Sequence, residues 1–285
     1  MKLAQISVKQ DETFGLIDGN KFYAPGEAFK KQYGCLGAII QCGAVNALVQ
    51  EIKKSGIKYS LGELVFRSPL SKNNKIICVG INYPKLFEET PTKKPENIIV
   101  FSKFHEAIVA HNSDLEIPIG KASSTFDFEV ELGVIIGERC FHTKREEAMS
   151  RIFGYTIFND GSVRDWQKHS LLAGKNFYRS SSCGPWITTA DEIDNAGNLS
   201  LQTVLNGSVI QTASTREMYF AISEIIEYIS YILPLYPGDM IATGSPGKVL
   251  NTKKQQSFLK DGDVIEFSVS NIGTLKNTIK KSVKI

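Results

Sequence analysis

Asp127-Phe128-Glu129-Val130-Glu131-Leu132-Gly133-Val134-Ile135-Ile136 is the stretch of this 285-residue chain from which its fold is read. As a strand it alternates faces, so Asp127, Glu129 and Glu131 project one way while Phe128, Val130 and Leu132 project the other. Carboxylates this close repel and raise one another's pKa, which is tolerable only toward open water or a cation. The continuous apolar run Val134 to Ile136 sends the strand into a core and leaves the acids at its mouth. A hard divalent metal would compensate them. A half-exposed antiparallel strand carries the same alternation, and on this stretch alone both readings stand.

Outward from it, the chain from Lys75 onward reads as many short strands with few helices, a mixed, β-rich α+β pattern without alternating βαβ units. Lys75 to Ile81 predicts a buried strand. Thr143-Lys144-Arg145-Glu146 reads as a capping box opening a short helix. Ile222, Ile225, Ile226 and Ile229 place one apolar face on a second helix. Asn206-Gly207 predicts a hairpin turn between Leu201–Leu205 and Val209–Ile210, and Asp263–Val269 with Leu275–Ile279 a closing hairpin. Thr90 to Pro95 reads as a mobile loop. Residues 1 to 70 read as a small separate α+β unit: strands Lys2–Val8 and Thr13–Ile17, then a helical pattern over Ile39–Lys54. The polar run Ser71 to Asn74 then divides the chain into residues 1–70 and 71–285.

Lys and Arg number 33 against 30 Asp and Glu, and the formal net charge of +3 argues for neither a nucleic-acid nor an acidic-membrane partner. The five cysteines, an odd number without a CxxC pair, read as buried thiols of a reducing compartment. With no apolar run of membrane-spanning length, a soluble cytoplasmic protein is the expectation.

Several blocks then fall into a familiar order. They are Asp127 to Leu132, Gly154-Tyr155-Thr156-Ile157-Phe158-Asn159-Asp160, Val163-Arg164-Asp165-Trp166-Gln167, Gly174-Lys175-Asn176-Phe177, Gly184-Pro185-Trp186, Pro237-Gly238-Asp239 and Thr243-Gly244-Ser245-Pro246. In this order they resemble the fumarylacetoacetate hydrolase family from about Lys75 to the C-terminus. The resemblance implies a β-roll catalytic domain, a homodimer, and Mg²⁺ or Mn²⁺ held by Glu129, Glu131 and Asp160. Carboxylates with open positions suit a hard octahedral cation. Asp160 could instead cap a helix beginning near Ser162, but the family order favours ligation. The resemblance further implies a small 2-oxo or enol carboxylate substrate, with Lys175 catalytic and Tyr83, Lys103, Arg164, Gln167 and Thr243 binding substrate. Arg164 and Gln167, three apart, share a helical face.

The chain departs from the family at the lid. Gly80-Ile81-Asn82-Tyr83 begins the family pattern Gly-x-Asn-Tyr-x-x-His-x-x-Glu, but Leu86 stands where the histidine belongs and Glu89 alone keeps its place. A His–Glu dyad activates water, so its loss weakens carbon–carbon hydrolysis and favours keto–enol isomerisation or decarboxylation, with Glu89 as the base. His105, two residues beyond Lys103, and His169 are the candidate substitutes. The other reading is a catalytically silent member that binds a metal and a small carboxylate.

Overall fold

Val130–Ile136 is a fully buried strand, paired antiparallel to Ile152–Asn159 on one side and to Met240–Ala242 on the other. The computed structural model describes residues 1–88, 93–247 and 258–282. Glu89 and the Thr90–Thr92 part of the expected loop lie outside the described residues. Both faces of the strand are covered, which is why its sequence reads as an unbroken apolar run. Leu132, Val134 and Ile136 pack with Ile225, Ile226 and Ile229 of the helix Ile222–Ile232. Ile135, on the opposite face, packs with Phe158, Met240, Leu36, Ile39 and Leu48. Gly133 is required between its neighbours, because a Cβ there would come within 2.8 Å of Thr156 Cγ2.

This strand lies in a twelve-stranded sheet that also takes in the first strands of the chain. Lys2–Val8 pairs with Asp11–Asp18 in a hairpin and, on its other side, with Ser181–Thr189 through Lys2↔Thr188 and Leu3↔Ile187. A separate five-stranded sheet contains the hairpin of Ser200–Leu205 and Ser208–Ser214 and the closing hairpin of Val264–Val269 and Gly273–Lys281. Asn206 and Gly207, with φ of 51° and 80°, form the left-handed pair that a two-residue turn needs. The β-rich α+β class is present.

Four local expectations are corrected. The helical pattern over Ile39–Lys54 is two helices, Leu36–Gln41 and Val45–Ser55, broken at Gly43 with φ of 62°. Thr143 does not cap the helix Arg145–Ala148; its amide takes Ser230 Oγ, and the free Arg145 amide takes Glu227 Oε1 from the neighbouring helix. The acid stretch is not one strand. Phe126–Asp127 pairs with Ser162–Val163 in a separate ribbon, and Asp127 Oδ1 turns back to accept the Phe128 amide at 2.9 Å. Ser162 therefore begins a strand rather than a helix, and a 3-10 turn follows at Arg164–Lys168.

Candidate active site

Two neighbouring strands deliver the acids. Glu131, at the mouth of Val130–Ile136, and Asp160, just beyond Ile152–Asn159, converge with Glu129 so that one carboxylate oxygen from each lies within 4.8 Å of the others. The Glu129 amide bonds Asn159 Oδ1 at 3.2 Å and the Asp160 amide bonds the Glu129 carbonyl at 2.9 Å, which fixes the two backbones against each other. Asp127 is not part of this cluster.

Three cations answer the acids. Lys103 Nζ, wholly buried, donates to Asp160 Oδ1 and, at 3.1 Å, to the Gly161 carbonyl. Lys175 Nζ lies 2.7 Å from Asp160 Oδ2 and 2.5 Å from Glu129 Oε2. Arg164 bridges outward, its Nε donating to Asp127 Oδ2 at 2.8 Å and its Nη1 to Glu129 Oε1. Asp127 thus supports Arg164, a role the alternation argument did not foresee.

The charges are unevenly met. Burial alone would push the Glu129 carboxyl up, but Lys175 and Arg164 together overrule it and hold it at about 2. Glu131 is pushed well above the usual carboxylate range, first by burial and then by Asp160 and Glu129. Among the described residues it makes no ion pair, and it accepts the Gly244 amide at 2.9 Å. Lys175 is held protonated: burial opposes its charge, and Asp160 and Glu129 more than restore it. Counted as ionised, the four carboxylates Asp127, Glu129, Glu131 and Asp160 outnumber the three cations by one, and it is at Glu131 that this unmet negative charge is felt. Three convergent carboxylates with a net negative charge fit a hard divalent cation, which would reverse that sign and draw in an anionic substrate.

Of the other expected binding residues, Tyr83 is buried with its hydroxyl unpartnered among the described residues, and burial, then Glu131, pushes that hydroxyl's pKa up. Thr243 donates its hydroxyl to the Leu132 carbonyl at 2.9 Å, so it orders its own turn instead of offering that proton to a ligand. Gln167 is half-buried against Gly174, where a Cβ would come 2.4 Å from its Cγ, and so seats the short helix carrying Lys175. His105 Nε2 bonds the Asn74 carbonyl at 2.9 Å, and the His169 ring lies against Trp166. Cys78 lies under the acids; burial, then Asp160 and Glu131, raises its pKa, so its thiol stays protonated.

The lid root is tied down tightly. Ile81 holds φ of 54°, a conformation that costs a β-branched residue on the order of 1–3 kcal/mol. Leu86, on the turn of helix Lys85–Glu88, packs into the notch at Gly247, whose Cβ would lie 2.5 Å from Leu86 Cδ2. Lys85 pairs with Glu217 at 3.4 Å, and Phe87 meets Tyr219 edge-on at 5.4 Å. In the residue positions where a histidine would address water, this chain presents an aliphatic docking contact.

Residues 75–280 match the family model described as fumarylacetoacetate (FAA) hydrolase C-terminal. A mitochondrial oxaloacetate tautomerase of Bos taurus is 36% identical over 221 residues, covering 76% of this chain and 70% of the relative. A 2,4-didehydro-3-deoxy-L-rhamnonate hydrolase of Sphingomonas sp. (strain SKA58) is 34% identical over 224 residues, covering 77% and 78%. Among solved structures, a fumarylacetoacetate hydrolase from psychrophilic Exiguobacterium antarcticum superposes with a TM-score of 0.83 at 28% identity, covering 99% of this chain and 100% of the other. No helix among the described residues is long and apolar enough to cross a membrane.

Proposed function

The chain belongs to the fumarylacetoacetate hydrolase family, and on that premise we propose that it is a divalent-metal-dependent keto–enol tautomerase of small 2-oxo carboxylates such as oxaloacetate. The observation that carries this reading is Leu86 docked at Gly247 beside an otherwise complete set of acids and cations. Hydrolysis needs a base that makes hydroxide, whereas tautomerisation needs only that a proton leave C3 and one arrive at the C2 oxygen. Mg²⁺ or Mn²⁺ on Glu129, Glu131 and Asp160 would supply Lewis-acid stabilisation of the enolate.

The chain's own residues do the rest. Lys175, protonated at Nζ, is the donor for negative charge developing on the C2 oxygen as the C3–H bond breaks and its pair moves into the C2–C3 bond. Arg164, one third exposed at the rim, is the group for the substrate carboxylate. Lys103 holds the Asp160 carboxylate in place through Oδ1. Glu89, on the lid segment beyond the described residues, is the proposed base at C3. Leu86 and Phe87 close the lid with apolar surface and keep bulk water from the enolate. A homodimer belongs to the same proposal.

The similarity to the Sphingomonas hydrolase favours carbon–carbon hydrolysis as the second reading. Oxaloacetate and an acylpyruvate, incubated with the protein plus Mg²⁺ and again after chelation, distinguish the two. Metal-dependent decay of the enol absorbance with unchanged mass is the result expected. A cleaved acid would establish hydrolysis, carbon dioxide release would establish decarboxylation, and no change with either compound would leave ligand binding without turnover.

A further inference from the structure

Asn82 is wholly buried, and every polar atom of its amide is spent on the two loops that flank the acids. Its Nδ2 donates to the Thr243 carbonyl at 2.8 Å and to the Phe220 carbonyl at 3.1 Å, while its Oδ1 accepts the Phe220 amide at 2.7 Å. Its own carbonyl accepts the Tyr219 amide at 2.8 Å. The Thr243–Gly244 turn so held is the one whose Gly244 amide reaches Glu131 Oε2 at 2.9 Å. The approach is possible only because residue 244 is glycine: it holds φ of +95°, and a Cβ there would stand 2.7 Å from Asn82 Cβ. The strained Ile81 immediately before it sets the direction from which Asn82 enters.

We infer that Asn82 is a positioning residue for the metal centre, acting through Thr243 and Gly244 to fix the Glu131 carboxylate, and so linking the lid root to the metal ligands. The inference rests on the metal reading above. A hydrogen bond from an ordered backbone amide orients a ligating carboxylate, and losing such an outer partner typically costs about 10–100-fold in metal affinity. Thr243 Oγ1, donating to the Leu132 carbonyl, is the second tie on the same turn.

The test is Mn²⁺ affinity of the full chain, by calorimetry and by the electron paramagnetic resonance of free Mn²⁺, with thermal unfolding of each variant recorded beside it. Asn82→Asp keeps the shape and the acceptor for Phe220 but sets a carboxylate oxygen against two carbonyls. Its affinity should fall at least tenfold, whereas Leu86→Ala, which loosens the lid and leaves the Asn82 amide in place, should stay within about twofold of the unaltered protein. If Asn82→Asp does not fold, Asn82→Ser carries the same expectation. Equal Mn²⁺ affinity with a lowered melting temperature would make Asn82 merely structural and overturn the inference. So would an equal loss in Leu86→Ala, which would trace the effect to lid displacement. No Mn²⁺ binding by the unaltered protein would overturn the metal reading together with the inference.

Discussion

Replacing Lys103 with methionine separates what the acids need from the fold and what they need from a metal. The side chain is completely buried, so methionine keeps most of the apolar stem while deleting the ammonium. Asp160 Oδ1 and the Gly161 carbonyl then lose their donor, and Asp160 retains only Lys175 at 2.7 Å. Breaking a buried ion pair typically costs about 3–5 kcal/mol, and the surviving lysine puts this case at the lower end, about 3 kcal/mol. A domain with roughly 5–15 kcal/mol in hand still folds. Mg²⁺ at a hundred times its dissociation constant adds about 2.7 kcal/mol to any protein that binds it only when folded. Losing Lys103 also removes one of the groups that orient Asp160, but Lys175 still holds its other oxygen at 2.7 Å, so the removed positive charge outweighs the lost orientation and the variant should bind Mg²⁺ about tenfold more tightly, a further gain of about 1.4 kcal/mol at fixed Mg²⁺. Urea denaturation with and without Mg²⁺ reads both effects: a large deficit in the metal-free variant, partly recovered on adding metal. Undiminished metal-free stability would refute the claim that Asp160 depends on Lys103. A smaller Mg²⁺ response in the variant than in the unaltered protein would refute the electrostatic account of the centre.

Three further outcomes are expected. His111 is held at about 4, first by burial and then by Lys276, against 6.5 when free, so the folded chain binds fewer protons than the unfolded one below pH 6.5. Stability should therefore fall by roughly 3 kcal/mol as pH drops from 7 toward 4, and urea midpoints of His111→Asn, which still offers an acceptor to the Lys276 amide, should show a flatter acid limb. Gly247→Ala puts a Cβ 2.5 Å from Leu86 Cδ2 at φ of +75°; kcat/KM for the enol should fall about tenfold, roughly 1.4 kcal/mol, and unchanged kinetics would dismiss the docked lid. Ile226→Ala, at 0% exposure between helix and sheet, should cost about 2–5 kcal/mol in denaturant titrations while leaving KM in place.

Short-range pattern made much of this fold legible. The Asn206-Gly207 turn, the isoleucine face of Ile222–Ile232 and the closing hairpin each depend on neighbours within a few residues, and each is present. The family order pointed to Glu129, Glu131 and Asp160, and the three do converge. What pattern misread were points where a distant partner decides. Period-two alternation put Asp127 with the metal acids, but pairing with Ser162–Val163 and the Arg164 guanidinium draws it aside. Periodicity joined Ile39 to Lys54, although Gly43 turns the chain between two helices. Asn82 was visible only as part of a lid pattern, since its partners are 138 and 161 residues away.

The pairing of Leu3 with Ile187 also bears on the order in which the molecule comes into being. On the outer edge of Lys2–Val8, Ile6 and Ser7 pair with the nearby Val65–Phe66, but Lys2 and Leu3 have their complement in Ser181–Thr189. At roughly 5–20 residues per second of synthesis, those two positions wait on the order of ten to forty seconds for their partner. An open, apolar strand edge is a template for pairing with any other chain. A pause in translation between residues 66 and 181 would prolong the exposure of those two positions.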